Sequence, residues 1–300
     1  MPLVNFHELM GDAEKNSYAV GYFESWDLNS FLAVCDAAER MKSPVIIGFS
    51  GIDFPNYKHY LKDIFEIYSN LINDLASKMT VPVCTIFNES ASKDLVLKAI
   101  AQKFGIVMFL NSKLDFTEQK SITKELTKEA HNNGVASEGG IEMQEGLGKS
   151  ITDASGDELL TDIGSAKSFV KETEVDALAV SVGQISLISE NKVSLNFSHL
   201  KKLKKEINIP LVLHCGSSIY NEDIKKAVEI GIRKINVGKA LKNACFKSLK
   251  KSCFEINDNY NQYEIIGSGL NNDILVKAGK SMQDAVEKFM VLFGSAGKAW

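Results

Sequence analysis

The sequence has 300 residues, of which 45% are hydrophobic and 24% are charged, enough for a sizeable core in one or two domains. Its formal net charge of -4 argues against a nucleic-acid-binding surface, and it lacks an apolar run of the roughly 18 residues that a membrane span requires. The start of the chain has no basic region followed by an apolar one, and the 5 cysteines form no C-x-x-C pair. We therefore expect a cytoplasmic protein with reduced thiols and with neither a membrane nor a nucleic-acid partner.

Short apolar segments alternate with amphipathic segments along the whole chain. Residues 1–16 predict a short helix. The apolar segments predict eight β-strands, at Tyr18–Phe23, Val45–Ser50, Val81–Asn88, Ile106–Ser112, Gly134–Ile141, Ala177–Gly183, Ile209–Gly216 and Lys234–Lys239. The amphipathic segments predict helices, for example at Leu28–Met41, Lys93–Phe104 and Glu118–Asn132. A last helix is predicted at Asp273–Phe293.

The arrangement of these elements predicts an α/β fold. The strands are almost continuously apolar, which is typical of parallel strands that are covered on both faces. Eight βα units in about 250 residues indicate a closed (β/α)8 TIM barrel. A doubly wound open sheet is the alternative, but no G-x-G-x-x-G follows the first strand. Because no linker rich in proline or glycine divides the chain, we expect residues 1–300 to form a single domain with extra N- and C-terminal helices.

Two segments lie outside the regular βα repeat. The N-terminal helix is placed where it can close the bottom of the barrel. The segment Glu142–Ile163 contains three glycines and is longer than an ordinary βα loop. It predicts either a lid over the barrel mouth or a variable surface loop.

Glycines and hydroxyl groups gather at the carboxyl ends of the last three predicted strands. In TIM barrels this face carries the active site, and the loops after the seventh and eighth strands commonly bind phosphate. Glycines there expose backbone N–H groups, and the helix that follows adds partial positive charge. The alternative is that the glycines only form tight turns and that the lysine is solvated. The predicted anion-binding residues are Gly183, Gly216, Ser217, Asn236, Gly238 and Lys239.

A second group of polar residues at the strand ends contains two carboxylates and one imidazole. His214 is the only one of the 5 histidines that ends a predicted buried strand. Glu89 and Glu138 follow or end the third and fifth predicted strands. Such a set would bind a divalent ion, Mg²⁺ or Mn²⁺ in preference to Zn²⁺, because most of its ligand atoms are oxygens. The alternative is that these side chains hydrogen-bond with one another.

Several longer motifs resemble a known family over nearly the whole chain. They are Pro2-Leu3-Val4-Asn5, Tyr18–Phe23, Leu160-Thr161-Asp162, Val175–Val180, Leu211–Ser217, Lys234–Val237 and Leu292–Ala299. Together they resemble the class II, zinc-dependent ketose-bisphosphate aldolases of the fructose/tagatose-bisphosphate type. The resemblance implies a homo-oligomeric lyase of carbohydrate metabolism. Its metal would polarise the carbonyl of a sugar phosphate and stabilise the enediolate that forms when a carbon–carbon bond breaks.

The sequence departs from this family at the residues that carry the chemistry. The family holds zinc with three histidines, and an aspartate beside the first one transfers the proton. Asn88 stands at the position of that aspartate and cannot act as an acid or base. Glu89 and Ser186 stand where the first two histidines are expected, whereas His214 matches the third. Gly140 replaces the second carboxylate of the fifth strand.

Two functions follow from these observations. The first is a divergent class II aldolase-like lyase that cleaves a phosphorylated sugar or related carbonyl compound. Its catalytic position would be Asn88, and its metal (Zn, Mn or Mg) would be held by His214, Glu89 and Glu138. The second is a catalytically silent sugar-phosphate-binding or scaffold protein. In either function the resemblance implies a homo-oligomer, with Asp273–Phe293 as a candidate interface element.

Overall fold

The computed structural model describes residues 3–52, 54, 63–141, 160–184, 192–214 and 216–300. It confirms the predicted TIM barrel, because eight parallel strands close in the order β1 to β8. The strands are β1 (Val20–Glu24), β2 (Val45–Ser50), β3 (Val83–Ser90), β4 (Ile106–Phe109), β5 (Ala136–Gly140), β6 (Ala177–Ala179), β7 (Leu211–Leu213) and β8 (Ile232–Val237).

The helices of the described residues surround the barrel and close its bottom. They are α1 (Phe6–Lys15), α2 (Leu28–Met41), α3 (Ile64–Lys78), α4 (Lys93–Ala101), α5 (Phe116–Asn132), α6 (Ile163–Thr173), α7 (Phe197–Glu206), α8 (Asn221–Ile230), α9 (Lys239–Glu255), α10 (Gln262–Ile265) and α11 (Ile274–Leu292).

Local sequence determines where several helices begin and end. Asp27 precedes α2, and its side chain accepts a hydrogen bond from the backbone N–H of Ser30 in a capping box. Asp115 and Glu118 form the same box at α5, so this helix begins slightly before the predicted start. Gly134 follows α5 with a φ of 71°, a left-handed conformation that glycine adopts without strain.

β7 is shorter than the sequence predicted, and this changes the setting of the histidine that follows it. The strand contains only Leu211–Leu213, and a 3-10 turn forms at Gly216–Ser218. Its register with β8 also shifts between Leu211 and Val212. His214 therefore lies just beyond the strand, at the mouth of the barrel, and is 7% exposed.

The barrel interior is apolar on the side where the strands begin. There Phe6, Leu9 and Met10 of α1 pack against interior residues such as Val20 and Ile46. α1 thus closes the bottom of the barrel, as its amphipathic sequence suggested. A larger apolar core fills the space between the outside of the barrel and the surrounding helices.

The C-terminal helix α11 packs within its own chain. It contacts α2 and α9, and Ala278, Met282, Val286 and Met290 are the residues that it buries. Its exposed side retains Val291, which is 61% accessible. Leu275 and Val276 are also exposed, at 38% and 37%, and the role of this helix as an interface element stays a prediction.

Some of the sequence predictions concern residues that the structure does not describe. Residues 142–159 of the predicted lid lie outside the described residues, as do Ser186 and Cys215. None of the helices in the described part of the chain is both long enough and apolar enough to cross a membrane.

Candidate active site

The carboxyl-end half of the barrel interior is polar, in contrast to the apolar bottom. Six of its side chains come from four strands or strand ends and contact one another across the interior. We refer to them as the mouth cluster: Asn88 and Glu89 from β3, Glu138 from β5, His214 after β7, and Lys234 and Asn236 from β8.

The first half of the mouth cluster joins β3 to β7. Asn88 donates from Nδ2 to Oε2 of Glu89 at 2.7 Å. The other oxygen of Glu89 lies 3.1 Å from Nδ1 of His214. Asn88 is 1% exposed, whereas 18% of the Glu89 side chain is accessible, so Glu89 is the carboxylate of the cluster that solvent reaches.

The second half of the cluster crosses the interior from β7 to β5 and β8. His214 Nε2 lies 3.4 Å from Glu138 Oε1, and Lys234 Nζ lies 2.8 Å from Glu138 Oε2. Lys234 also donates to Oδ1 of Asn236 at 2.6 Å. The side chains of Glu138 and Lys234 are both completely buried. This pair is therefore shielded from solvent and strongly coupled.

The charged neighbours of Glu138 keep it ionised. Burial by itself raises the pKa of this carboxyl group, because it disfavours the charged form. The ammonium of Lys234 and the imidazole of His214 act in the opposite direction, and the pKa of Glu138 ends below its usual range. The interior thus contains a carboxylate and an ammonium that depend on each other.

Glu89 reaches His214 from a strained backbone. Its φ is 50°, in the left-handed region that side chains other than glycine rarely adopt. The register of β3 with β4 shifts between Phe87 and Ser90, at the same place. Strain of this kind costs about 1–3 kcal/mol and clusters at functional sites, where it aims a side chain. Here it brings the Glu89 carboxylate to the imidazole.

Three buried polar atoms in or beside the cluster have no hydrogen-bond partner among the described residues. They are the Asn88 Oδ1, the Asn236 Nδ2 and the hydroxyl of Tyr22. Tyr22 is the register partner of Asn236 on the adjacent strand β1, and its ring centre lies 5.3 Å from Lys234 Nζ. Unpaired buried polar atoms are rare in folded proteins, and each one calls for an explanation.

The expected metal ligands lie together but do not converge on one point. Glu89 and Glu138 face opposite nitrogens of His214, an arrangement that suits a ring donating from both nitrogens. The remaining oxygen of Glu138 is paired with Lys234. No group of three His, Cys, Asp or Glu residues able to hold a metal ion occurs among the described residues. The residues of this part of the chain therefore do not fit the expected three-ligand metal site.

The strand-6 loop also contributes no ligand within its described part. Gln184 turns back on its own chain, where Nε2 donates to the Val180 carbonyl at 2.6 Å and Oε1 accepts from the Val182 N–H at 2.8 Å. Ser186, at the position of the second family histidine, lies outside the described residues.

The predicted anion-binding residues lie mainly on the β7–β8 side of the mouth. Gly216 packs tightly there, because a Cβ on it would lie 3.2 Å from the Asn236 carbonyl oxygen. A Cβ on Gly238 would lie 2.2 Å from a Glu24 carboxylate oxygen, so the missing side chain makes room for Glu24. Ser217 between them is half-buried. We call Gly216, Ser217, Gly238 and Lys239 the anion end.

The helix that begins at the anion end has no side-chain cap at its N-terminus. Lys239 opens α9, and Gly238 before it offers no side chain to the first N–H groups. Glu24 brings a negative charge to this place, which Lys242 balances at 2.7 Å. Gly183, by contrast, has a φ of 103°, and a Cβ on it would lie 3.5 Å from the Ser194 carbonyl oxygen. The structure thus groups the β7 and β8 residues, and it places Gly183 against a different loop.

Sequence reasoning missed two residues of this site. Lys234 and Tyr22 lie within strands, not at their ends, and the search concentrated on strand ends. Lys234 was predicted as the first residue of the eighth strand, whereas β8 begins at Ile232 and places Lys234 inside the barrel wall. No signal singled out Tyr22, because an aromatic residue in a strand is most often part of the core.

Comparisons with known proteins agree with this architecture. The family model for class II fructose-bisphosphate aldolase matches residues 4–298. The chain is 32% identical to the sulfofructosephosphate aldolase of Alkalicoccus urumqiensis over 100% of this chain and 99% of that protein. It is 31% identical to the fructose-bisphosphate aldolase of Geobacillus stearothermophilus, again over 100% and 99%.

A solved structure extends the agreement to three dimensions. The crystal structure of the YdjI aldolase from Escherichia coli K12 superimposes with a TM-score of 0.82 at 29% identity, covering 99% of this chain and 100% of that one. Family model, relatives and structure coincide over nearly the full length, and the chain belongs to the class II fructose-bisphosphate aldolase family.

Proposed function

We propose that the protein is a lyase that binds a phosphorylated sugar or related carbonyl compound in the barrel mouth and cleaves it by a retro-aldol reaction. The observation that carries the proposal is the mouth cluster itself, a continuous row of interacting polar side chains next to the anion end. The names of the aldolase relatives support the same class of reaction.

Retro-aldol cleavage requires a group that accepts the proton of the hydroxyl beside the bond that breaks. Asn88 stands where the family has its acid or base, and an amide cannot take that proton. Glu89, the next residue, is the most accessible carboxylate of the cluster and would accept it instead. The unpaired Oδ1 of Asn88 would accept a hydrogen bond from a substrate hydroxyl and so help to position it.

The anion end would hold the phosphate group of the substrate. Ser217 is half-buried and offers a hydroxyl. The N-terminus of α9 adds partial positive charge. We assign no step to a metal ion, because the donor set of the described residues does not fit one.

An aldol-cleavage screen tests the proposal. Purified protein would be incubated with fructose 1-phosphate, fructose 1,6-bisphosphate and tagatose 1,6-bisphosphate, and triose phosphate release would be followed by a coupled NADH assay. We expect release in the presence of EDTA and its loss in Glu89→Gln. Glu129→Gln, on the exposed face of α5, is the matched control and should retain full activity. No release with any substrate, in EDTA or with added Zn²⁺, Mn²⁺ or Mg²⁺, would reject the lyase.

The second candidate is a sugar-phosphate-binding protein without turnover. The observation that favours it is that both oxygens of Glu138 are already engaged within the protein, while Asn88 cannot transfer a proton. Calorimetry with the same sugar phosphates distinguishes the two. Binding in EDTA without cleavage supports the binding protein, whereas cleavage supports the lyase.

A further inference from the structure

We propose that Tyr22, Lys234 and Asn236 form a metal-independent binding site for the carbonyl or enolate oxygen of the ligand. The inference rests on the proposed function and names the atoms that would hold this oxygen. In a retro-aldol step the electron pair of the breaking carbon–carbon bond moves into the carbonyl group, so negative charge develops on its oxygen. A site for that reaction needs donors or positive charge at this point.

Lys234 supplies the positive charge. Its ammonium has three N–H groups, and two neighbours account for two of them, the Glu138 carboxylate at 2.8 Å and the Asn236 Oδ1 at 2.6 Å. The side chain is fully buried, so its charge acts through a medium that screens it less than water does.

Lys234 also fixes the orientation of the Asn236 amide. Because the ammonium can only donate, Oδ1 must face it and Nδ2 must face away. That Nδ2 is buried and has no partner among the described residues. Asn236 is the last residue but one of β8, so its side chain lies in the carboxyl-end half of the barrel, where the mouth cluster is.

Tyr22 is the third donor. It is the register partner of Asn236 on the adjacent strand, so the two side chains leave the barrel wall side by side. Its hydroxyl is buried and has no partner among the described residues. Burial, together with the charges of Glu24, Glu89 and Glu138, holds the pKa of Tyr22 well above its ordinary value. The hydroxyl therefore keeps its proton and is available to donate.

The three donors share one chemical preference. An ammonium, an amide N–H and a phenolic O–H all seek an acceptor oxygen that carries negative charge. Leaving two of them buried without acceptors lowers the stability of the fold, since they lose water and gain nothing in return. A ligand oxygen that enters between them recovers both hydrogen bonds.

Calorimetric titration in EDTA tests the site with two probes. Inorganic phosphate engages the anion end alone, whereas 2-phosphoglycolate adds a carboxylate that imitates the charged oxygens of an enediolate. We expect wild-type protein to bind 2-phosphoglycolate more tightly than phosphate. Tyr22→Phe should weaken 2-phosphoglycolate about tenfold, the effect of one lost hydrogen bond, and leave phosphate unchanged.

Tyr18→Phe is the matched control for this substitution. Tyr18 is also a fully buried tyrosine of the same barrel, but its hydroxyl donates to Asp12 at 2.8 Å near the bottom, away from the mouth. It should bind both probes as the wild type does. Equal weakening in Tyr18→Phe and Tyr22→Phe would overturn the proposal, because it would indicate a general effect of losing a buried hydroxyl.

A second variant keeps the test independent of Tyr22. Asn236→Asp preserves size and gives Lys234 another acceptor, but it replaces the Nδ2 donor by a carboxylate oxygen. We expect it to weaken 2-phosphoglycolate about a hundredfold through the lost donor and the new repulsion, with a smaller effect on phosphate. Unchanged affinity in both variants, or no binding of 2-phosphoglycolate to the wild type, would overturn the inference.

The two proposals fail in different ways. Selective loss of 2-phosphoglycolate in Tyr22→Phe, without cleavage of any sugar phosphate by the wild type, would retain the oxygen site and reject the lyase. Cleavage by the wild type that Tyr22→Phe and Asn236→Asp leave unchanged would retain the lyase and reject the oxygen site.

Discussion

The hydrogen bonding of buried polar groups differs between the bottom and the mouth of the barrel. At the bottom, the Tyr18 hydroxyl donates to Asp12, and Arg233 donates from Nη1 to the Val228 and Ile232 carbonyls at 2.7 and 2.9 Å. Lys234, which follows Arg233 in the chain, belongs to the mouth cluster and donates to Asn236. The Nδ2 of Asn236 and the hydroxyl of Tyr22 are donors without an acceptor among the described residues. Polar groups at the bottom serve the fold, whereas the mouth retains binding capacity that the fold does not use.

The largest expected effect separates the ion pairs of these two regions. Glu138→Gln leaves the fully buried Lys234 without its carboxylate and should lower the free energy of unfolding by about 3–5 kcal/mol. Glu14→Gln removes the partner of Arg233 at the bottom, but Glu14 is 53% exposed, so the loss should stay within about 1 kcal/mol. Urea unfolding curves measure both. Equal losses would mean that the mouth pair is not isolated from solvent.

The next prediction concerns the proton-transfer position in the mouth. Asn88→Asp restores a carboxylate there, and we expect retro-aldol turnover to rise about a hundredfold, within the range that acid or base catalysis provides. Asn73→Asp is the matched control, because Asn73 lies outside the barrel and donates to the Gln102 carbonyl. Steady-state rates with the best substrate of the screen provide the measurement. A silent protein would show no gain from either change.

The two buried tyrosines should differ in stability as well as in binding. Tyr18→Phe removes a hydroxyl that is bonded to Asp12 and should lower the free energy of unfolding by about 1–2 kcal/mol. Tyr22→Phe removes a hydroxyl that has no partner among the described residues and should leave stability unchanged or raise it by a few tenths of a kcal/mol. Denaturation of both variants under one set of conditions decides this. A large loss in Tyr22→Phe would indicate a structural role for its hydroxyl.

The smallest effect is expected for metal removal. Because Glu89, Glu138 and Lys234 are paired within the protein, no open three-ligand set is present among the described residues. The melting temperature should therefore change by less than about 1 °C between EDTA and 1 mM Zn²⁺ or Mn²⁺, since a ligand that binds only the folded state would raise it. A marked rise of the melting temperature with either ion would support the predicted metal site.

The sequence allowed the fold to be predicted more fully than the candidate site. The alternation of apolar and amphipathic segments predicted eight strands and a barrel, and the structure confirms both. The same reading placed Glu89, Glu138 and His214 at one mouth, where they do touch. The alternative that these side chains pair with one another agrees with the structure. The sequence did not show that His214 would lie between both carboxylates, because that depends on contacts between residues 76 or more positions apart.

The sequence by itself determined that the chain forms a barrel and which end of the barrel is the mouth. The periodicity of apolar residues and the helix caps act over short distances along the chain. Only the tertiary structure decided how the charges of the mouth are paired. Strand register and the closure of the barrel set which interior side chains meet, and they bring Lys234 to Glu138. The side chains that the sequence predicts as metal ligands are therefore paired with one another and with Lys234 in the structure, and the metal site stays a prediction.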